Sequence, residues 1–485
     1  MYKYKSIKEL RDIIDEENNA VEIFNFSKDL AHKYQDKYNS FVTILDNCNY
    51  KKTNSILSGI SYSLKDNYST KGILTTASSN ILKDYIPVID STVYKKLKES
   101  GALLVGKTVL DELAMGGSGT TGHTGIVKNP WDINRQVGGS SAGSASSVAL
   151  GIVPFSVGSD TGDSVRKPAS FAGLVGFKPT YGRISRYGLF AFASSLDHVA
   201  ILSRNVDDSA IVTDVLKGRD INDLTTLKDD NISYYENIDS SIKNKKLCYI
   251  KEICGMDIIK DSSDKELIKT IEDFHKLLDK LKDNGFIIEE VSIDKSLLEA
   301  IYPTYMCISC AEATSNNANL TGISFGPRAD GDNVNEMIFN ARSLGFSELI
   351  KRRFILGSYI LQKENQEKLF LNAKRVRRLI VDNMNELFKT YSGMIAPCSG
   401  GAAPLFDSVS EKLSDRYLIL ENHLAIGNFG GYPSITLPYT LVNDLPVGVN
   451  ITGAVLDDLE VLKIAKKVEE VTGYKNLHRK DDLDV

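Results

Sequence analysis

From about Gly116 to Ser195 the chain is dense in glycine, serine, threonine and alanine and sparing with charge. Low complexity of that kind marks either a flexible linker or a buried scaffold of tight turns, in which glycine lets backbone approach backbone or a ligand. Two apolar runs inside the segment, VALGIVPFSVG and FAGLVGF, decide between the two. A linker has no use for strand-like apolar runs. The segment therefore predicts a buried scaffold, and a functional site is expected within it.

The flanks read as helix and strand in turn. Ser6-Ile7-Lys8-Glu9 has the S-x-x-E form of a capping box, ahead of apolar positions at helical spacing. A second amphipathic run spans about Ala20 to Tyr38. FVTIL, ISYSL, a helix near Ser91–Ser100, ALLVG and a helix near Val109–Met115 follow. Residues 216–296 are rich in lysine and aspartate and read as a solvated peripheral layer, with strands at 247–251 and 286–291 around a helix at 265–283. A helical stretch covers about 333–388, and SITLPYT, LPVGVNITG and a helix at 457–471 close the chain. Such alternation predicts an α/β layered fold. With no internal repeat and no proline-rich linker, one domain over 1–485 is expected.

Composition excludes several function classes. With 58 Lys plus Arg against 63 Asp plus Glu, the formal net charge is −5. Such a chain has no general electrostatic grip on a polyanion, so an RNA substrate would need another subunit to hold it. No run approaches the roughly 18 apolar residues of a membrane helix. The start, MYKYKSIKELRDIIDEEN, alternates charged and apolar residues, unlike a secretory signal. A cytoplasmic location away from membranes is expected. Of the cysteines only Cys307 and Cys310 have metal-like spacing, and nothing completes a zinc set; a free-thiol pair and no metal are expected.

Three short motifs match by letter and fail by context. Gly101-ALLV-Gly106-Lys107-Thr108 fits a phosphate loop, but its four variable positions read as a strand. Gly117-Ser-Gly119-Thr-Thr-Gly122 fits a dinucleotide fingerprint without its preceding strand, following helix or distal acid. Gly139-Ser-Ser141-Ala-Gly143 fits a nucleophile elbow, yet INRQVGG ahead of it is no strand and no histidine is marked as base.

A longer constellation carries chemistry. GGSSAGSASSVALGIVPFSVGSDTGDS runs from Gly138 to Ser164, and upstream an apolar strand ends in Ser63-Leu64-Lys65-Asp66-Asn67. Taken singly, Ser140 and Ser164 read as turn serines and Lys65 as a strand-end lysine. Together they resemble the amidase signature family, whose members hydrolyse amides with a Ser–Ser–Lys triad. The resemblance covers nearly the whole chain, from KDNYSTKGILTTASS through GFKPTYGRISRYGLFAFASSLDH to LPVGVNITG. It is closest to the glutamine-hydrolysing branch that serves tRNA-dependent amidation.

The resemblance implies a large twisted mixed β-sheet covered by helices, with a signature core over about 60–200. It makes Ser164 the nucleophile, Ser140 the bridging serine, held by a cis peptide bond, and Lys65 the base. The residue spacings of 24 from Ser140 and 99 from Lys65 to Ser164 agree. A serine hydroxyl needs a neighbour to take its proton, and a lysine can do so only when neutral, with its pKa brought down from about 10.4. The backbone N–H groups of Thr161, Gly162, Asp163 and Ser164 would form the oxyanion hole. Tyr305 would contact glutamine, Arg353 (with Arg352 as the alternative) its α-carboxylate, and Glu421 its α-amino group. The branch implies a heterotrimer: a B subunit that holds Glu-tRNA(Gln) and uses ATP and Mg, and a small C subunit. This chain itself would carry no cofactor.

Four positions depart from the family pattern. Asp163 stands for glycine in the oxyanion loop, Lys167 for glutamine, Glu421 for aspartate and Ala142 for glycine. If glycine serves a positive φ at 163, aspartate adds strain of about 1–2 kcal/mol. A carboxylate about 4 Å from a developing oxyanion would cost about 4 kcal/mol at an effective dielectric near 20, nearly a thousandfold in rate, and one pointing into solvent only about 1 kcal/mol. The rival readings are a stand-alone amidase, an A-like scaffold silenced by Asp163, and a phosphate-loop enzyme dependent on Lys107.

Overall fold

The Ser6 hydroxyl and the Glu9 carboxylate close the expected capping box, and α1 (Ile7–Glu17) starts there. It is followed by α2 (Ala20–Tyr38) and, further along the chain, by α3 (Thr92–Glu99). The structure, a computed structural model, describes residues 2–408, 414 and 416–479. Its frame is a mixed sheet of eleven strands: β1 (Phe41–Ile44), β2 (Ser61–Lys65), β3 (Leu103–Thr108), β4 (Phe155–Asp160), β5 (Val175–Lys178), β6 (His198–Ser203), β7 (Lys246–Ile250), β8 (Ile287–Val291), β9 (Gly393–Pro397), β10 (Ser434–Val442) and β11 (Leu445–Thr452). They lie in the order β1-β3-β2-β4-β6-β5-β10-β11-β9-β7-β8. β2 runs parallel to both β3 and β4, and β7 to both β8 and β9; the other pairs are antiparallel. Every residue of β2, β3, β4, β5 and β6 is buried, as expected of strands covered on both faces.

Three expectations need correction. The helix expected near Val109–Met115 is only a short 3₁₀ turn, Glu112–Ala114, in which Leu113 takes a left-handed conformation. Asp111 explains it: its carboxylate accepts the N–H groups of Ser118, Gly119, Thr120 and Thr121 and the Thr121 hydroxyl. The middle of GSGTTG, from Ser118 to Thr121, therefore wraps a carboxylate of the chain itself. VALGIVPFSVG and FAGLVGF each open on the last two residues of a helix rather than on a strand: α4 (Ala142–Ala149) leads into β4 and α5 (Arg166–Ala172) into β5. The segment 216–296 is not merely a solvated layer. It supplies β7 and β8 at the sheet edge, and Leu267, Ile271, Phe274 and Leu278 of its helix Lys265–Asp283 join the main core.

The phosphate-loop lookalike is β3 itself, with Lys107 buried and paired to Asp66 at 3.3 Å. α4 packs close to the sheet because Gly143 has no Cβ: one there would lie 2.2 Å from the Ser40 carbonyl oxygen. Alongside the apolar contacts of Ala142, Ala145 and Val148, hydroxyls meet across this seam: Ser146 with Ser40, Ser147 with Ser63 of β2, and Ser144 with Thr108 of β3. Among the described residues no helix is long and apolar enough to cross a membrane.

Candidate active site

Parallel pairing brings the last residue of β2, Lys65, beside the turn that follows β4. Lys65 is wholly buried. Its Nζ donates to Ser140 Oγ at 2.8 Å, to Ser159 Oγ at 2.9 Å and to the Ser159 carbonyl at 3.2 Å. Burial brings the ammonium down to about 7, against the opposing pull of Asp111, Asp160 and Asp197. A cis peptide bond joins Gly139 to Ser140. The Ser141 N–H donates to the Ser164 carbonyl at 3.1 Å, which seats the Ser140 turn against the Ser164 turn. Lys65 and Ser140 are thus in direct contact. The Ser164 hydroxyl makes no hydrogen bond among the described residues.

Between β4 and α5 the chain turns through Thr161–Val165. Two buried ionic ties shape that turn. Arg166 forks onto Asp160, with Nη2 to Oδ1 at 2.9 Å and Nε to Oδ2 at 3.2 Å, and reaches the Gly162 carbonyl at 2.7 Å and Asn428 Oδ1 at 2.6 Å. Burial pushes the Asp160 carboxyl up, but Arg166 outweighs it and holds the group well below the usual carboxylate range. On the other side Thr161 Oγ1 donates to Asp197 at 2.7 Å. Burial raises the Asp197 carboxyl to about 6, while the Thr161 hydroxyl and the N–H groups of Ala193 and Phe192 favour its charged form. Bent this way, the turn leaves the N–H groups of Thr161, Gly162, Asp163 and Ser164 without an acceptor among the described residues. Four adjacent free donors can receive an anionic oxygen.

Ser159, Asp160, Arg166, Asp197 and Asn428 were not singled out by sequence. Asp160 and Arg166 flank the serine in SDTGDSVR, so an acid and a base six residues apart around it were a readable signal.

The other expected residues divide. Tyr305 is packed on the turn: a Cβ at Gly162 would lie 2.9 Å from its ring. Tyr305 and Arg353 both face Phe192, the ring at 6.5 Å and the guanidinium at 5.6 Å. Arg353 Nε and Nη1 are buried with no partner among the described residues, whereas Arg352 is exposed. Asp163 has no positive φ, so the expected backbone strain is absent. Its carboxylate lies 3.7 Å from Lys167 Nζ, and that same ammonium binds Glu421, at 3.2 Å from Oε2 and 2.6 Å from the carbonyl. Exchange of Gly162 for alanine should push Tyr305 off the turn and lower turnover roughly tenfold or more. Steady-state kinetics beside an unchanged thermal midpoint would check it.

Residues 7–462 match the amidase family. The chain belongs to the amidase family. This amidase is 38% identical to the A subunit of glutamyl-tRNA(Gln) amidotransferase from Sulfolobus acidocaldarius over 87% of each chain. It is 39% identical to the protein of the same name from Fusobacterium nucleatum over 98% of each. The crystal structure of the A subunit of glutamyl-tRNA(Gln) amidotransferase from Thermotoga maritima superposes with a TM-score of 0.83 at 33% identity, covering 99% of this amidase and 98% of that chain. The large mixed sheet expected from sequence is the fold observed.

Proposed function

We propose that this amidase is the glutamine-hydrolysing subunit of a glutamyl-tRNA(Gln) amidotransferase, supplying ammonia for conversion of Glu-tRNA(Gln) to Gln-tRNA(Gln). One observation carries the reading: full-length similarity to A subunits coincides with a buried lysine–serine contact beside a turn of free N–H groups. In this reading Ser164 Oγ attacks the glutamine δ-carbonyl carbon while its proton passes by way of Ser140 to neutral Lys65. The oxygen, now negative, is received by the N–H groups of Thr161–Ser164. The C–N bond breaks as the proton returns to nitrogen, ammonia leaves, and a glutamyl ester remains on Ser164. Water, deprotonated along the same route, cleaves the ester and releases glutamate.

Arg353 offers a planar fork with unpaired N–H groups for the substrate α-carboxylate. B and C partner subunits belong to the same reading, with ATP and Mg used on the B subunit and the tRNA held there, in the cytoplasm. The test is ammonia release from glutamine by the complex coexpressed with B and C subunits, wild type beside Ser164→Ala. The substitution should abolish release while amidation with free ammonia continues. Release undiminished in Ser164→Ala would remove the nucleophile from this reading, and a wild-type complex that uses only free ammonia would make the chain a scaffold.

A further inference from the structure

Asp163, Lys167 and Glu421, three of the four positions that depart from the family pattern, meet in one ionic cluster at the mouth of the turn. Lys167 lies one helical turn after Asp163, and its N–H donates to the Asp163 carbonyl at 2.9 Å, which fixes the start of α5. Its side chain is only 10% exposed, against 28% for Asp163 and 23% for Glu421. The other Glu421 oxygen, Oε1, accepts the Gly400 N–H at 2.9 Å and has Arg416 Nε 3.9 Å away. The Asp163 carboxylate has one cation within ion-pair distance among the described residues, and that cation is Lys167. Arg166 also acts on this charge from further off, but its guanidinium is bonded to Asp160.

We propose that Lys167 is a positioning residue for the amidase reaction: its ammonium draws the Asp163 carboxylate off the Thr161–Ser164 N–H groups and pins it to Glu421, so that the three side chains work as one unit. The proposal rests on the reading that this turn receives the oxyanion. A carboxylate and an ammonium 3.7 Å apart present a small dipole to the turn, whereas the carboxylate alone presents a full charge of the sign that develops on the substrate oxygen. The chain therefore tolerates at 163 a residue that an uncompensated turn would not.

The experiment compares Lys167→Gln, Lys167→Arg, Asp163→Gly and the Asp163→Gly/Lys167→Gln pair, each in the complex with B and C subunits, by glutamine-dependent kcat and KM. Lys167→Gln should lower kcat between tenfold and a hundredfold, and Lys167→Arg should restore most of it. Asp163→Gly should raise kcat by less than about tenfold. In the double variant the loss of Lys167 should cost less than about threefold, because no carboxylate remains to be held. Equal losses from Lys167→Gln with and without Asp163 would overturn the proposal. Amidation with free ammonia reports folding and assembly of every variant. Ser164→Ala in the same series separates the two failures: if it stays active the catalytic reading falls, and if it is inactive while the cycle is additive only the coupling falls.

Discussion

Lys65→Arg is expected to lower glutamine hydrolysis roughly a thousandfold, within the range that general-base catalysis contributes. Arginine keeps the positive charge and the bonding capacity but cannot give up its proton. In the proposed reaction the form that accepts the proton is neutral Lys65, and its fraction grows with pH. With burial bringing the group to about 7, turnover should rise through pH 7 and level off above about pH 8. An unperturbed lysine would make it climb to pH 10 or beyond. Initial rates of ammonia release between pH 5.5 and 9 measure both effects. A Lys65→Arg enzyme that kept a tenth of the rate with the same rising limb would place the base elsewhere.

Asp160→Asn should damage stability and activity together. Arg166 would stay charged and buried among the Leu424 carbonyl, Ser434 and Asn428 with no carboxylate to answer it. Removing one partner of a buried pair costs about 3–5 kcal/mol. For a chain of this length that corresponds to a thermal midpoint lower by on the order of 3–5 °C. The Asp160 carboxyl is depressed in the folded state, so its contribution is present above the unfolded pKa near 4 and is lost only as pH falls through the lower folded value. The deficit of the variant should therefore be the same at pH 6 and pH 9. Turnover should fall as well, because Arg166 also holds the Gly162 carbonyl and with it the direction of the neighbouring N–H groups. A midpoint within 1 °C of wild type would mean that the pair carries no net weight.

Much of the frame was legible because it rests on local rules. The capping box at Ser6, the helix at Lys265–Asp283 and the strands β10 and β11 follow from spacing and caps alone. The boundaries inside the glycine- and serine-rich stretch were not legible. There α4 is buried on every face and adds hydroxyl pairs and a close backbone approach to its alanine and valine contacts, so no polar face marks out an apolar stripe. The turn at Glu112–Ala114 escaped for a related reason: Asp111 spends its carboxylate on N–H groups seven to ten residues ahead, a tertiary bond that overrides helical spacing. At the site, Lys65, Ser140 and Ser164 were reachable only as a set, through resemblance. The direction of the Asp163 side chain depends on a lysine one helical turn further on and a glutamate more than 250 residues away. No local pattern encodes that.

The hydroxyl seam beneath α4 bears on how this chain can drift over generations. A buried hydroxyl whose partner is deleted keeps its full desolvation cost, whereas removing both members of a pair can be almost neutral. Ser146 and Ser40, Ser147 and Ser63, and Ser144 and Thr108 are therefore expected to mutate as couples, across separations of 106, 84 and 36 residues. What looks like repetitive, permissive text is a set of joint constraints, each blocking a single step that the pair could take together.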